Sequence, residues 1–260
     1  MLTDAILRQA AGEAGLAEPA IIVRRLGGLG QSDATLTKDR PLYPASMIKT
    51  PLAVAVLELI ATGILSAHAR IPVTEPNMTA NDLASPLVPG YQARLTELLD
   101  LMIAQSDNVA TNTLIDLVGR QRATELLQAR GYSGTAIRRK LSGSDPLIDD
   151  PEATGRNTHP PQDAARLFTD LALERLPLGT ILLNALERQR WNTKLSRGLR
   201  PGDRFAHKTG DTSEVSHDGG ILTTANGARY VVVVYTGMPS SDETDTRFAE
   251  FMRRLRPHLV

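Results

Sequence analysis

Hydrophobic positions recur with a helical period near the start of the chain and through most of its middle. Residues 3–14 predict an amphipathic helix, and the pattern stays helical from Ser46 to about Leu186. A proline-rich stretch at 85–90 and an irregular one at 141–161 interrupt these helices. The segment LTELLDLMIA places its apolar side chains on one helical face: Leu95, Leu98, Leu99, Met102 and Ile103. We expect helices to end at three glycines: Gly63, Gly119 and Gly131.

Strand patterns lie toward both ends of the chain. The segment AIIVRRLGG (20–28) predicts a strand that turns into a second one around Asp33–Leu36. Near the C-terminus, HDGGILTT and ARYVVVVYT flank Asn226-Gly227, a hairpin signal, and the run Val231–Val234 indicates a strand covered on both faces. Strands at both ends with helices between them predict one α/β layer around an inserted helical region.

Two local signals complete this outline. Gly27, Gly28 and Gly30 predict a hairpin turn rather than a phosphate loop. No third glycine stands at the spacing that a phosphate loop requires, and no helix follows. A C-terminal helix is predicted from Ser240, with Ser240 and Glu243 as a capping box.

Composition limits the partners and the chemistry. The 260 residues are 42% hydrophobic and 22% charged, and the net charge is zero, as in an ordinary globular protein. We therefore expect no nucleic-acid partner and no membrane span. The chain has no cysteine and its histidines lack metal-binding spacing, so we expect no metal and no other cofactor. We also expect a monomer. The N-terminus does not resemble a signal peptide, which leaves open a cytoplasmic protein or an exported one whose leader has been removed.

The most informative helix is the one that follows Ser46 in YPASMIKTPLAVAVLELIATG. Lys49 stands three residues after Ser46, so the two side chains share a helical face. The helix behind them is apolar nearly all round, which indicates burial. An amino group in such a place needs a polar partner or must lose its proton.

Three short motifs follow one another along the chain. Ser46-Met47-Ile48-Lys49 is S-x-x-K, Ser106-Asp107-Asn108 is S-D-N, and Lys208-Thr209-Gly210 is K-T-G. The first is weak evidence alone, whereas all three in this order form the set of class A β-lactamases and penicillin-binding proteins.

These residue types suit an acyl transfer through a serine. The Ser46 hydroxyl needs a neighbouring base, and Lys49 can serve if burial and nearby positive charge, some of it from Lys208, lower its pKa. Ser106 can relay a proton to a leaving nitrogen, and Asn108 can orient Lys49 and hold a substrate amide.

The third motif suits the binding of an extended substrate. A strand at Lys208-Thr209-Gly210 would let a substrate lie alongside as an added strand, and Gly210 permits its close approach. The backbone N–H groups of Ser46 and Asp211 could form an oxyanion hole. His217-Asp218 could be a catalytic pair, although we interpret it as structural.

From about Tyr43 to Thr236 the chain resembles the class A β-lactamases within the penicillin-recognising serine enzymes. The resemblance includes RNTHPPQDAARLF (156–168) and HKTGDTSEVSHDGGIL (207–222). It implies an α+β, two-lobed β-lactamase/transpeptidase-like fold, with an antiparallel sheet flanked by terminal helices beside an all-helical lobe. We place the α/β lobe at residues 1–45 and 203–260, and the all-α lobe, with S-x-x-K and S-D-N, at 46–202.

The resemblance also implies the site residues. The catalytic set is Ser46 as the acylated nucleophile, Lys49 as its base or proton relay, Ser106 and Lys208. The substrate-binding set is Asn108, Thr209, Gly210 and Asp211, with no metal.

One departure from the family concerns deacylation. The family's Ω-loop carries E-x-x-L-N, whose glutamate activates the water that hydrolyses the acyl-enzyme. This motif is absent here, and by spacing from Ser106 the glutamate position falls near Ser142. Asp149, Asp150 or Glu152 could substitute only by moving in from an offset position. We therefore expect complete acylation chemistry and slow deacylation.

Three functions remain open at this point. The leading one is a β-lactamase-like serine hydrolase that forms an acyl-enzyme with a small-molecule or peptide substrate, such as a β-lactam, a cell-wall peptide or an ester. The second is a D-alanyl-D-alanine peptidase or an esterase. The third is a penicillin-binding protein that acylates without turnover.

Overall fold

A computed structural model describes residues 2–27 and 33–259. The chain forms two compact units. The first comprises Met1–Met47, Pro160–Arg175 and Gln189–Val260, and the second Ile48–His159 and Leu176–Arg188. Of the glycines assigned to a turn, Gly28 and Gly30 lie outside the described residues.

The helices and strands of the described residues follow in chain order. The helices are α1 (Asp4–Glu13), α2 (Lys49–Ala61), α3 (Leu95–Ala104), α4 (Asn108–Val118), α5 (Arg120–Ala129), α6 (Pro161–Ala172), α7 (Gly179–Glu187) and α8 (Asp242–Leu255). The strands are β1 (Ala20–Leu26), β2 (Asp33–Leu36), β3 (Arg70–Pro72), β4 (Gln92–Arg94), β5 (Arg204–Asp211), β6 (Ser216–Thr223) and β7 (Arg229–Thr236).

The first unit is built on a five-stranded antiparallel sheet. Its strand order is β2-β1-β7-β6-β5, so that strands from the two ends of the chain lie side by side. Strand β7 is central and Val231–Val234 are fully buried, which confirms the strand predicted to be covered on both faces. Strand β5, which carries the K-T-G motif, lies at the edge of the sheet.

Helices cover both faces of this sheet. Helices α1 and α8 pack with alternate residues of β1 and β7, including Leu7, Val23, Val232 and Phe248, in one buried cluster. The intervening strand positions point to the other face, where Arg24 Nη1 donates to Thr169 Oγ1 of α6 at 2.9 Å.

Helix α6 belongs to the sheet-containing unit, as do residues 189–202, whereas the sequence-based boundaries had placed both in the helical lobe. The reason is tertiary: α6 packs on β1, β6 and β7, and its own sequence is helical in either environment.

The second unit contains α2–α5 and α7. The predicted apolar face of α3 is buried, as is most of α2. The short strands β3 and β4 pair antiparallel, with Ile71 opposite Ala93, and this small sheet was missed in the sequence because each strand has only three residues. Along the described part of the chain, no helix is long and apolar enough to cross a membrane.

Most of the predicted helix ends are confirmed. Gly119 caps α4, while Gly63 and Gly131 follow the caps of α2 and α5, all with positive φ. The predicted capping residue of the last helix was wrong by one position. The cap is Ser241, whose Oγ accepts from Thr244 N at 3.1 Å, and not Ser240.

We expect Gly220→Ala to destabilise the protein. A Cβ there would lie 2.1 Å from Ala206 O and 2.6 Å from His207 Cα, on the paired strand β5. We expect the free energy of unfolding in urea to fall by roughly 2–4 kcal/mol. Gly12→Ala, in open space on α1, is the matched control and should raise that free energy by up to about 1 kcal/mol. Equal stability of Gly220→Ala and wild type would contradict the contact.

Candidate active site

Lys49 is the first residue of α2, and its side chain is fully buried in the second unit. Its Nζ lies 2.6 Å from Ser106 O, 2.7 Å from Asn108 Oδ1 and 3.1 Å from Ser106 Oγ. Three oxygens thus replace the water that burial removes. The structure therefore brings together three of the residues that the sequence singled out.

The S-D-N segment forms the tight connection between α3 and α4. Asp107 is the N-cap of α4, and its Oδ1 accepts from Ala110 N at 2.7 Å. Ser106 has a φ of +59°, a left-handed conformation that a non-glycine residue adopts only when the surrounding structure enforces it. This turn directs both the Ser106 carbonyl and its hydroxyl to Lys49.

Asn108 connects this cluster to the neighbouring loops of the second unit. Its Nδ2 donates to Ala80 O at 3.1 Å, and its backbone N–H donates to Asn81 Oδ1 at 2.5 Å. The amide is held on both sides, with its oxygen on Lys49 and its nitrogen on the main chain. The orientation of Asn108 is therefore fixed.

The segment where spacing from Ser106 puts the family's Ω-loop glutamate lies against this same loop. A Cβ on Gly143 would meet Ala80 O at 1.9 Å, and Gly143 N donates to Thr79 Oγ1 at 3.1 Å. Ser142, near the position given by spacing, therefore adjoins Gly143, which contacts Ala80, and the Ala80 carbonyl in turn accepts from Asn108. The Ser142 Oγ accepts from Ile148 N at 2.7 Å, a hydrogen bond within its own loop.

The acidic residues considered as substitutes are engaged elsewhere in the second unit. Asp150 pairs with Arg120 and also accepts from Lys140 N at 2.7 Å, while Glu152 accepts from the same guanidinium at 2.6 Å. Asp149 is exposed.

Ser46 lies in a 3-10 helix, Ala45–Ile48, that runs directly into α2. The residue before it, Ala45, has a φ of +46°, so the backbone is strained at the approach to this serine as it is at Ser106. Ser46 is half-buried, and its neighbours Ala45 and Met47 are buried.

Strand β5 lies directly against this segment within the first unit. A Cβ on Gly210 would be 3.0 Å from Pro44 O and 3.1 Å from Met47 N, the residues on either side of Ala45-Ser46. Gly210 thus lets the edge strand approach the serine's backbone closely. Lys208 and Thr209 of the same strand are buried, and Lys208 Nζ donates to Thr209 O at 2.9 Å.

His217 fixes the chain just before the serine. Its Nε2 lies 2.7 Å from Tyr43 O, and Thr236 N–H donates to its Nδ1 at 3.2 Å. With its proton on Nε2 the neutral ring donates to Tyr43 O and accepts from Thr236 N–H, whereas with its proton on Nδ1 it donates to Ser216 O, 2.7 Å away. Burial lowers the pKa of His217 from 6.5 to about 4. His217 has a structural role, as interpreted from the sequence, and Asp218 pairs with a different histidine, His207, at 2.7 Å.

Sequence reasoning missed one charged residue beside the K-T-G motif. Lys194 Nζ lies 2.6 Å from each oxygen of Asp211, the residue after Gly210. The available signal was that Lys194 is one of only five lysines in the chain.

We expect the histidine at 217 to make stability depend on pH. In the unfolded chain this imidazole binds a proton near pH 6.5, whereas in the folded protein it binds one only near pH 4. The histidine therefore lowers the free energy of unfolding as the pH falls below 6.5 and has no such effect above it. This site alone should account for up to about 3 kcal/mol between those limits. In urea unfolding at several pH values, His217→Gln should show a shallower loss. An unchanged dependence on pH would contradict the assignment.

Comparisons with known proteins agree with this architecture. A sequence model of the β-lactamase enzyme family matches residues 2–255. The β-lactamase VEB-1 of Pseudomonas aeruginosa is 22% identical over 206 residues, which are 73% of this chain and 68% of the relative.

Solved structures are similar over nearly the whole chain. A β-lactamase from Sphaerobacter thermophilus has a TM-score of 0.84 at 26% identity, covering 98% of this chain and 97% of that one. PBP-A has a TM-score of 0.84 at 25% identity, covering 98% and 95%. A leucine-to-glutamate variant of PBP-A, solved as an acyl-enzyme with penicillin G, shows the same fold at 24% identity, with a TM-score of 0.83 and coverage of 99% and 98%.

The family match spans nearly the whole chain, and the fold is that of the solved β-lactamases. The chain therefore belongs to the β-lactamase enzyme family and is a serine hydrolase of the β-lactamase type.

Proposed function

We propose that Ser46 attacks the carbonyl of a β-lactam or a related amide or ester, and that the resulting acyl-enzyme is hydrolysed slowly. The observation that carries this proposal is the buried Lys49, one helical turn from Ser46 in the chain and held by Ser106 and Asn108. We assign no cofactor to the reaction and treat the protein as a monomer.

In this proposal Lys49 reacts as a neutral amine. Its N–H groups donate to Ser106 O and Asn108 Oδ1, and Ser106 Oγ lies 3.1 Å from Nζ, within reach for a proton relay. Lys49 then accepts the proton from Ser46 as the Oγ–carbon bond forms, and Ser106 relays a proton to the nitrogen as the carbon–nitrogen bond breaks.

The edge strand β5 supplies the binding surface in this proposal. A substrate lies along Lys208, Thr209 and Gly210 as an added strand, and Asn108 holds an amide group. The backbone N–H groups of Ser46 and Asp211 stabilise the oxyanion. The close contact of Gly210 with the backbone around Ser46 supports this arrangement.

Slow deacylation follows from the residue at 142. By spacing from Ser106 the family's water-activating glutamate position falls near Ser142, the chain has no E-x-x-L-N motif, and both Asp150 and Glu152 are bound to Arg120. Hydrolysis of the ester to Ser46 therefore lacks a dedicated general base.

The same loop favours a second candidate. A D-alanyl-D-alanine peptidase or an esterase manages without that glutamate, and a penicillin-binding protein that stalls after acylation needs no deacylating base. Release of D-alanine from a cell-wall peptide would identify the peptidase, and a lasting adduct would identify the stalled protein.

We expect penicillin G to add its mass to Ser46. Intact-mass spectrometry over time should show an adduct that forms within minutes and decays over a longer period, and Ser46→Ala should show none. Hydrolysis of nitrocefin should fall at least about 1,000-fold in Ser46→Ala, because the nucleophile is lost. Equal nitrocefin rates in wild type and variant would exclude Ser46 as the nucleophile.

We expect Ser142→Glu to accelerate deacylation. A carboxylate at this position can act as a general base on water, a contribution of about 100-fold or more, while acylation of Ser46 stays within severalfold of wild type. The decay of the penicillin adduct measures the effect. Ser142→Gln is the matched control, since it has the same size without the charge. Equal decay in both variants would count against a missing base at 142.

A further inference from the structure

The last residue of strand β5 carries a charge pair that the proposed reaction does not use. Both carboxylate oxygens of Asp211 lie 2.6 Å from Lys194 Nζ, and Oδ1 also accepts from Ser216 Oγ at 2.9 Å. Lys194 Nζ further donates to His217 O at 3.1 Å, and it lies 5.5 Å from the centre of the Phe248 ring. The ammonium is thus fixed on the side of the pair away from solvent.

The two charges differ in exposure. The Lys194 side chain is 2% exposed, and the Asp211 side chain is 31% exposed. At the end of the edge strand the protein therefore presents a carboxylate to solvent, with its compensating cation behind it. Because the exposed end of the pair is negative, the pair repels an anion that approaches it.

Asp211 follows the strand position that touches the serine segment, and its side chain points to the same face of β5 as that of Thr209. Gly210 contacts the backbone of Pro44 and Met47, on either side of Ser46, and Asp211 is the following residue. A substrate that lies along β5 beside Thr209, as proposed, passes the Asp211 side chain.

We propose that Asp211 selects against substrates with a carboxylate beside the reacting acyl group, so that the preferred substrates are neutral esters or amides. This inference rests on the proposed acylation of Ser46. The pair then contributes to specificity, because Asp211 neutralises the Lys194 ammonium that would otherwise attract an anionic substrate.

The test compares penicillin G with its methyl ester, which lacks the negative charge and carries one added methyl group. Intact-mass spectrometry gives the rate constant for the Ser46 adduct with each probe, and the quantity of interest is the acid-to-ester ratio. Asp211→Asn keeps the shape and frees the Lys194 charge, and it should raise this ratio about tenfold. The control Glu214→Gln removes a charge from an exposed position of the same hairpin and should change the ratio less than about twofold.

A second variant separates specificity from loss of structure. Lys194→Met leaves the Asp211 carboxylate without its cation, so it should lower the acid-to-ester ratio. A structural lesion would slow both probes alike and leave the ratio unchanged in both variants. Ratios that stay constant, or that move in the same direction in both variants, overturn the inference while leaving acylation intact. Absence of an adduct with either probe in wild type overturns the proposed acylation itself, and the inference with it.

Discussion

The full burial of the Lys49 amino group is the constraint on which this site depends. A buried amino group is stable only if nearby atoms accept hydrogen bonds from it. Here Ser106 O and Asn108 Oδ1, at the turn between α3 and α4, accept from Lys49 Nζ. That turn holds its shape through the Asp107 cap and the left-handed Ser106. The catalytic proposal and the local fold of the second unit therefore rest on the same hydrogen bonds.

Backbone strain occurs at or beside both serines of the proposed mechanism, at two of the six non-glycine residues with positive φ in the described chain. Ala45 and Ser106 both adopt positive φ without being glycine, at a cost of about 1–3 kcal/mol each. The packing that offsets this cost is visible at Ala45. His217 holds Tyr43 O, and Gly210 lies against the backbone that flanks Ser46. The buried neutral ring of His217 and the absence of a side chain at Gly210 thus fix the backbone that leads to Ser46.

Charge placement determines the proposed specificity and turnover of this chain. The loop near Ser142 lies against the backbone that holds Asn108, yet its acidic residues bind Arg120. On the sheet, the residue after the K-T-G motif carries a carboxylate with a buried lysine behind it. Together these features suit an enzyme that is acylated by uncharged donors and gives up its acyl group slowly, which is the function proposed here.

Local sequence determined much of the outline. The helical period gave α1–α4, the valine run gave β7, and the three motifs indicated the chemistry before any fold was known. These signals are readable because periodicity and reactive residue types are properties of short segments. The family resemblance added the fold class, and it also made the missing glutamate near Ser142 noticeable.

Only the tertiary structure decided which distant residues meet. The sequence did not assign α6 to the sheet, because an amphipathic helix packs equally well on a sheet or on other helices. It also did not pair Asp211 with Lys194 or Asp218 with His207, since each pair joins segments between 11 and 17 residues apart through the fold. Sequence sets what each segment can do, and packing selects its partners, because burial energy depends on neighbours that the local chain does not contain.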